Sequence, residues 1–155
     1  MRKLTIIRGA PGSGKSTLAA AIWDQVKFDG TIGCFEADDF FEEPYGDYRY
    51  DAGFVPDAHM LCRAAVAKHL FHGGQAIVSN TFTKYWEVKP YLELATRLSM
   101  FEVDIIHCLG EYQNVHGCPL EKVEQMRYRA FTNEQIEELA KVDFPFLKLN
   151  IKTHK

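Results

Sequence analysis

Gly9-Ala10-Pro11-Gly12-Ser13-Gly14-Lys15-Ser16 decides how this chain folds. The stretch fits G-x-x-x-x-G-K-[ST], a loop whose backbone N–H groups wrap the α and β phosphates of a nucleotide. In that pattern a lysine, here Lys15, reaches the β/γ pair, and a hydroxyl, here Ser16, coordinates Mg²⁺. Glycines at 9, 12 and 14 let the backbone come close to phosphate oxygens where a side chain would intrude. Upstream, Leu4-Thr5-Ile6-Ile7 is an apolar run that predicts a buried strand. Downstream, Leu18, Ala19, Ile22 and Val26 recur at helical spacing and predict a helix over 16–26. A loop set between strand and helix puts the unpaired N–H groups and positive dipole end of the helix against the phosphates.

The chain has 155 residues, 46% of them hydrophobic, which is enough apolar material for a real core and predicts one domain over residues 1–155. A net charge of -3 gives no global basic field. Any nucleic-acid contact must then use a local patch, and a short or small acceptor is favoured over long duplex DNA. No apolar run approaches the roughly 20 residues of a membrane-spanning helix, so a cytoplasmic protein without a membrane partner is expected. The four cysteines lack C-x-x-C spacing and predict no disulfide framework. His107, Cys108, His116 and Cys118 match no zinc signature.

In chain order, Asp29-Gly30 marks a turn and Thr31 to Phe35 predicts a second buried strand. It runs into Glu36-Ala37-Asp38-Asp39, where paired carboxylates can take a proton from a hydroxyl or hold water on Mg²⁺. Residues 40–56 interleave Phe40, Phe41, Tyr45, Tyr48, Tyr50 and Phe54 with acids and Arg49. This composition suits stacking on a base and pairing of Arg49 with a phosphate, and equally suits rings packed onto the core. Pro56-Asp57 opens a helix to about His72, with Ala58, Leu61, Cys62, Ala65, Val66 and Leu70 as its apolar stripe. His59 is the histidine of this helix nearest the aromatic loop. Ala76-Ile77-Val78 predicts a third strand, and Asn80 after it can fix an acceptor hydroxyl or simply end the strand.

Trp86 to Leu98 reads as a core helix and Val103 to His107 as a fourth strand. This β-α alternation demands a mainly parallel sheet with flanking helices. Pro119 starts a helix with Leu120, Val123, Met126 and Ala130 expected inward and with Arg127 and Arg129 on it. Thr132 and Gln135 form a capping box for a last helix to about Lys141. Residues 144–151 read as an edge strand or an ordered tail, so that 132–155 form a C-terminal helix and tail.

Taken together, Ile7 to Thr17, Asp38-Asp39-Phe40-Phe41, Asp57-Ala58-His59, Asn80-Thr81, Trp86 to Tyr91 and His116-Gly117-Cys118-Pro119 resemble the polynucleotide kinase branch of P-loop kinases. The chain is most similar there to the kinase-like domain of the NEDD4-binding-protein-2 group and to phage polynucleotide kinases, over about residues 3–131. The resemblance implies an α/β P-loop NTPase-type three-layer sandwich that moves the γ-phosphoryl of ATP, with Mg²⁺, to a hydroxyl, typically the 5′-OH of a polynucleotide. Nucleotide binding then falls on Gly9, Ala10, Pro11, Gly12, Ser13, Gly14, Lys15, Ser16 and Thr17. Ser16 is the metal ligand, Asp38 the general base, and Asn80 the position that places the acceptor. A lid falls on about 109–117, where the family's arginines are absent, and Phe41 stands where phage members offer an arginine.

An arginine on a phosphoryl-transfer transition state is worth roughly 10³ to 10⁵ in rate. Arg127, Arg129 or Arg49 is therefore expected to supply the missing charge. Nucleosides, nucleotides and a hydroxylated base in DNA are alternative acceptors. An ATP-binding module with little transfer is the rival reading.

Overall fold

The computed structural model describes residues 2–27, 30–42, 48–112 and 117–155. Its elements are β1 (Lys3–Arg8), α1 (Lys15–Val26), β2 (Ile32–Phe35), α2 (Val55–Phe71), β3 (Gln75–Asn80), α3 (Tyr85–Arg97), β4 (Glu102–Cys108), α4 (Leu120–Arg129), α5 (Asn133–Asp143) and β5 (Lys148–His154). Short 3-10 helices cover Ala37–Phe41 and Ala52–Phe54. The strands form one five-stranded sheet in the order β2-β3-β1-β4-β5, and every pairing among them is parallel. Parallel neighbours cannot be joined by a tight hairpin, so the chain crosses the sheet through helices between strands.

Side chains alternate across the sheet with the period of two that a strand imposes. Leu4, Ile6, Ala76, Val78, Val103 and Ile105 face one way and pack with residues of α2, α3 and α5. Ile7, Ile77 and Cys108 face the other way and pack with Leu18, Ala19 and Ile22 of α1. The result is the expected three-layer α/β sandwich, with a parallel sheet between helices.

Three expectations change and a fourth resolves between its two alternatives. The strand at 31–35 is an edge strand, half-buried with Cys34 exposed, because it pairs only with β3. The buried line on α2 is Ala58, Cys62, Val66 and Leu70, each one turn from the last. Leu61 and Ala65 lie off that line and are exposed. On α4 only Val123 is buried, and Leu120 is 69% exposed, so this helix packs through a narrow contact. The tail is a strand: β5 pairs with β4 from Glu102↔Lys148 to Cys108↔His154. The capping box is present, with Gln135 N donating to Thr132 Oγ1 at 3.1 Å and Thr132 N to Gln135 Oε1 at 2.8 Å.

Arg8 carries a load its place in a hydrophobic strand does not announce. Its side chain is fully buried. Nε donates to the Phe82 carbonyl at 3.1 Å, Nη1 to Asn133 Oδ1 at 3.3 Å and Nη2 to the Phe131 carbonyl at 2.6 Å. One guanidinium thus ties the end of β1 to the β3–α3 connection and to the α4–α5 connection. Burial lowers its pKa to about 10, partly opposed by Glu87, which leaves it charged at neutral pH. Arg8→Met orphans these carbonyls and should destabilise the protein by about 2–4 kcal/mol, read as a lower midpoint in urea.

His107 of β4 lies opposite Arg8 in the sheet register. Burial, and after it the Arg8 charge, lower its pKa from the ordinary 6.5 to about 4. Between those values the unfolded chain binds a proton that the folded chain refuses, so stability from this group is complete above pH 6.5 and falls as pH drops toward 4. Thermal midpoints across that window should fall less steeply with acid in His107→Gln than in the parent. Parallel curves would contradict this assignment.

Candidate active site

The loop from β1 to α1 is built by backbone conformation. Gly12 and Gly14 have φ of 78° and 94°, in the left-handed region that glycine enters without strain. At Gly9 the constraint is room, because a Cβ there would sit 2.7 Å from the Cys108 carbonyl oxygen. Ser13 N donates to the Ala10 carbonyl at 3.1 Å and closes the turn. Helix α1 then begins at Lys15 with no side-chain cap and no acid in its first turn. Its first N–H groups and positive dipole end have no side-chain partner from the chain itself, the condition in which a helix start binds an anion.

Lys15 Nζ lies over this loop and donates to the Ala10 carbonyl at 3.0 Å. Burial lowers its pKa, while Cys108, Glu36 and Asp38 oppose the shift. Two hydroxyls nearby, Ser13 Oγ and Ser79 Oγ, are buried without a hydrogen-bond partner among the described residues. Unpaired buried hydroxyls are costly unless a ligand or water meets them, and Ser79 lines the cavity in front of the loop. Phosphate oxygens and their water fit this donor-rich cradle.

Facing the loop is the turn that follows β2. Ser16 Oγ donates to Glu36 Oε1 at 2.8 Å. Burial raises the Glu36 pKa, and the Ser16 hydrogen bond opposes it. A serine hydroxyl beside one carboxylate offers the hard oxygen donors that suit Mg²⁺, which takes most of its remaining ligands from water and phosphate. Among the described residues no cluster of three or more His, Cys, Asp or Glu forms a denser metal cage. The two aspartates behind Glu36 have separate tasks. Asp39 Oδ2 accepts from Glu36 N at 3.2 Å and caps the 3-10 helix, whereas Asp38 turns into the cavity and accepts from the Tyr48 hydroxyl at 3.2 Å. Burial, and after it Asp38, push the Tyr48 phenol pKa up, so it stays a donor.

Asn80, at the end of β3, is 7% exposed. Its Oδ1 accepts from Ala37 N at 2.7 Å and its Nδ2 donates to Cys62 Sγ at 3.7 Å. The side chain retains one N–H and one lone pair for a ligand.

Loop, acid turn and Asn80 surround one cavity of about 490 Å³, whose far wall carries Phe41, Tyr48, Tyr50 and His59. Burial lowers the His59 pKa, so this wall is neutral near pH 7.

Of the residues singled out from sequence, Pro11, Gly12, Gly14, Lys15, Ser16, Thr17, Asp38 and Asn80 line this cavity; Gly9, Ala10 and Ser13 shape the loop behind it. Arg49 and Arg127 are not in its lining. Arg127 Nη1 instead pairs with Glu111 Oε1 at 3.0 Å. Arg129 is exposed at the far end of α4, its carbonyl accepting from Lys84 Nζ at 2.8 Å. The cation that α4 contributes to the cavity wall is Lys122, and no ion pair holds it among the described residues. Sequence reasoning missed Lys122 and did not separate Glu36 from its neighbours. Residues 113–116 of the expected lid, with His116, lie outside the described residues, as do Tyr45 of the aromatic loop and Asp29 of the first turn. The described start of the lid lies on the phosphate loop: Tyr112 N donates to the Gly12 carbonyl at 2.7 Å, and its ring stands beside Gly14. Among the described residues, no helix is long and apolar enough to cross a membrane.

Comparison with known proteins agrees with this architecture. Human NEDD4-binding protein 2 is 29% identical over 145 residues, which are 86% of this chain and 8% of that protein. The chain therefore spans a small part of that relative's length. Mycobacterium tuberculosis APS kinase CysC, solved with AMPPNP and APS, superposes with a TM-score of 0.56 at 12% identity, over 97% of this chain and 87% of that one. A chain of the Pnkp1/Rnl/Hen1 RNA repair complex superposes with a TM-score of 0.52 at 22% identity, over 94% of this chain and 47% of that one. At these identities the structural likeness is one of fold. The AAA domain family model AAA_33 matches residues 4–109, and the chain belongs to that family.

Proposed function

We propose that the protein is a phosphotransferase that moves the γ-phosphoryl of ATP to a hydroxyl of a nucleic-acid or nucleotide-type acceptor, with a 5′-OH polynucleotide end as the leading acceptor. One observation carries the reading: an uncapped helix start with its lysine faces a cavity-side aspartate across a single cleft lined by aromatic rings. Loop N–H groups and Lys15 hold the phosphates. Ser16 and Glu36 would hold Mg²⁺, which when bound neutralises phosphate charge. Asp38 takes the proton from the acceptor hydroxyl, and Tyr48 orients its carboxylate. Phe41, Tyr48 and Tyr50 offer faces on which a base can stack, with His59 at the same wall.

Lys122 is the cation of α4 set to meet the migrating phosphoryl group. Arg127 and Arg49 are also candidates for that charge, and Arg127 would act only after its pair with Glu111 opens. The rival reading, an ATP-binding module with little transfer, draws on the absence of arginines from the lid sequence 109–117. Binding alone, however, gives Asp38 no task in the cleft.

γ-Labelled ATP with Mg²⁺ and a panel of 5′-OH oligonucleotides, nucleosides and nucleotides separates the two. Label is expected on an acceptor, and ATP binding with no labelled acceptor of any class would sink the kinase reading. Lys15→Ala should lose nucleotide affinity and transfer together. Asp38→Asn should keep the affinity and lower turnover by about 10² to 10⁴. Lys122→Ala should cut turnover by about 10-fold or more, a larger loss than Arg127→Ala; the reverse ranking would return the role to Arg127.

A further inference from the structure

The acid turn has its own fastening, made of three side chains from three elements. Ala37 N, the amide preceding Asp38, donates to Asn80 Oδ1 at 2.7 Å. An amide side chain has a carbonyl end and an NH₂ end. Once the carbonyl faces Ala37, the NH₂ end must point away into the α2–α3 packing, where burial removes water as a partner. There Asn80 Nδ2 meets Cys62 Sγ at 3.7 Å, and the Tyr91 hydroxyl donates to the same sulfur at 3.4 Å. Cys62 is 6% exposed and Tyr91 2% exposed. The contacts run without a break from α3 through α2 and β3 to the turn that carries the proposed base.

We propose that Cys62 is a positioning residue for the acid turn: its sulfur, pinned by the Tyr91 hydroxyl, is the acceptor that orients the Asn80 amide and so fixes the Ala37 N–H and the carboxylate of Asp38. The chemistry of sulfur matters here as well as its volume. Valine or alanine at 62 would fill part of the space and leave the buried Nδ2 group unpaired, removing one of the two contacts that hold the amide with its oxygen toward Ala37. Serine supplies a smaller acceptor at the same place. Burial raises the Cys62 pKa, with the Tyr91 and Asn80 hydrogen bonds opposing, so the group works as a neutral thiol. Neither Cys62 nor Tyr91 lines the cavity, so both act through Asn80 and touch no substrate.

The catalytic arm of the test rests on the kinase reading; the structural arm does not. Cys62→Val, Cys62→Ala and Cys62→Ser are compared in the full chain, by hydrogen exchange at the Ala37 amide, by ATP affinity, and by kcat and KM for the acceptor that the wild type labels. Val and Ala should speed exchange at Ala37 and lower kcat, each by about 10-fold, with ATP affinity unchanged, and Ser should restore both to within about 3-fold of wild type. Unchanged Ala37 exchange in both apolar variants would overturn the proposal. So would a serine variant as impaired as alanine, since that marks a need for volume alone. If one apolar variant fails to fold, the other carries the comparison, and Tyr91→Phe, which unpins the sulfur, should give a smaller loss in the same two readouts. A wild type that labels no acceptor would end the kinase reading and leave the Ala37 exchange result to decide the fastening.

Discussion

Everything at the candidate site depends on the strands being parallel. In a sheet ordered β2-β3-β1-β4-β5 with one direction throughout, the carboxyl ends of all strands lie along one edge. Whatever follows each strand therefore arrives at the same place. The glycine-rich loop follows β1, the acid turn follows β2, Asn80 ends β3 and Leu109 to Tyr112 follow β4. Residues far apart in the chain become neighbours through this single constraint, and the side-chain contacts described above are refinements of it.

The constraint also accounts for the electrostatic layout. Lys15 on one side and Glu36 with Asp38 on the other are drawn into one cleft, and burial disfavours the charge on Lys15 and on Glu36 alike. Opposite charges there partly offset that cost, and Ser16 joins the two halves through its hydrogen bond to Glu36. Asp39, one residue past Asp38, keeps the turn wound, so the three acids of this turn meet a hydroxyl, the cleft and a backbone amide in succession.

The glycine-rich turn between β1 and α1, the three-layer fold, the acid turn and the capping box of α5 were legible in the sequence because each is local: a spacing, a period, or a pair of residues three apart. What was not legible is polar and long-range. Arg8 reaches Asn133 over 125 positions, and Asn80 reaches Ala37 over 43. No periodicity encodes such pairs. An arginine within an apolar strand run and a cysteine within a helix stripe look like ordinary occupants of their elements. Leu120 and Leu61 failed for the opposite reason. Helical spacing reports which residues share a face, but the width of that face is set by the neighbour, and α4 and α2 make narrower contacts than their apolar residues suggest. Lys122, likewise, was one cation among several until the fold placed it in a wall.

Helix α4 is tied down around its carboxyl end. Beyond its carboxyl end, the Phe131 carbonyl accepts from Arg8, Phe131 N donates to the Thr83 carbonyl at 2.8 Å, and Lys84 grips the Arg129 carbonyl. The exposed pair between Glu111 and Arg127 engages the last turn of the same helix, and Val123 is its buried residue. The buried guanidinium of Arg8 therefore reaches beyond the core it ties together. Through the Phe131 carbonyl it holds the end of the helix whose first turn carries Lys122, so a group with no place in the cleft helps to set where a charge stands in its wall.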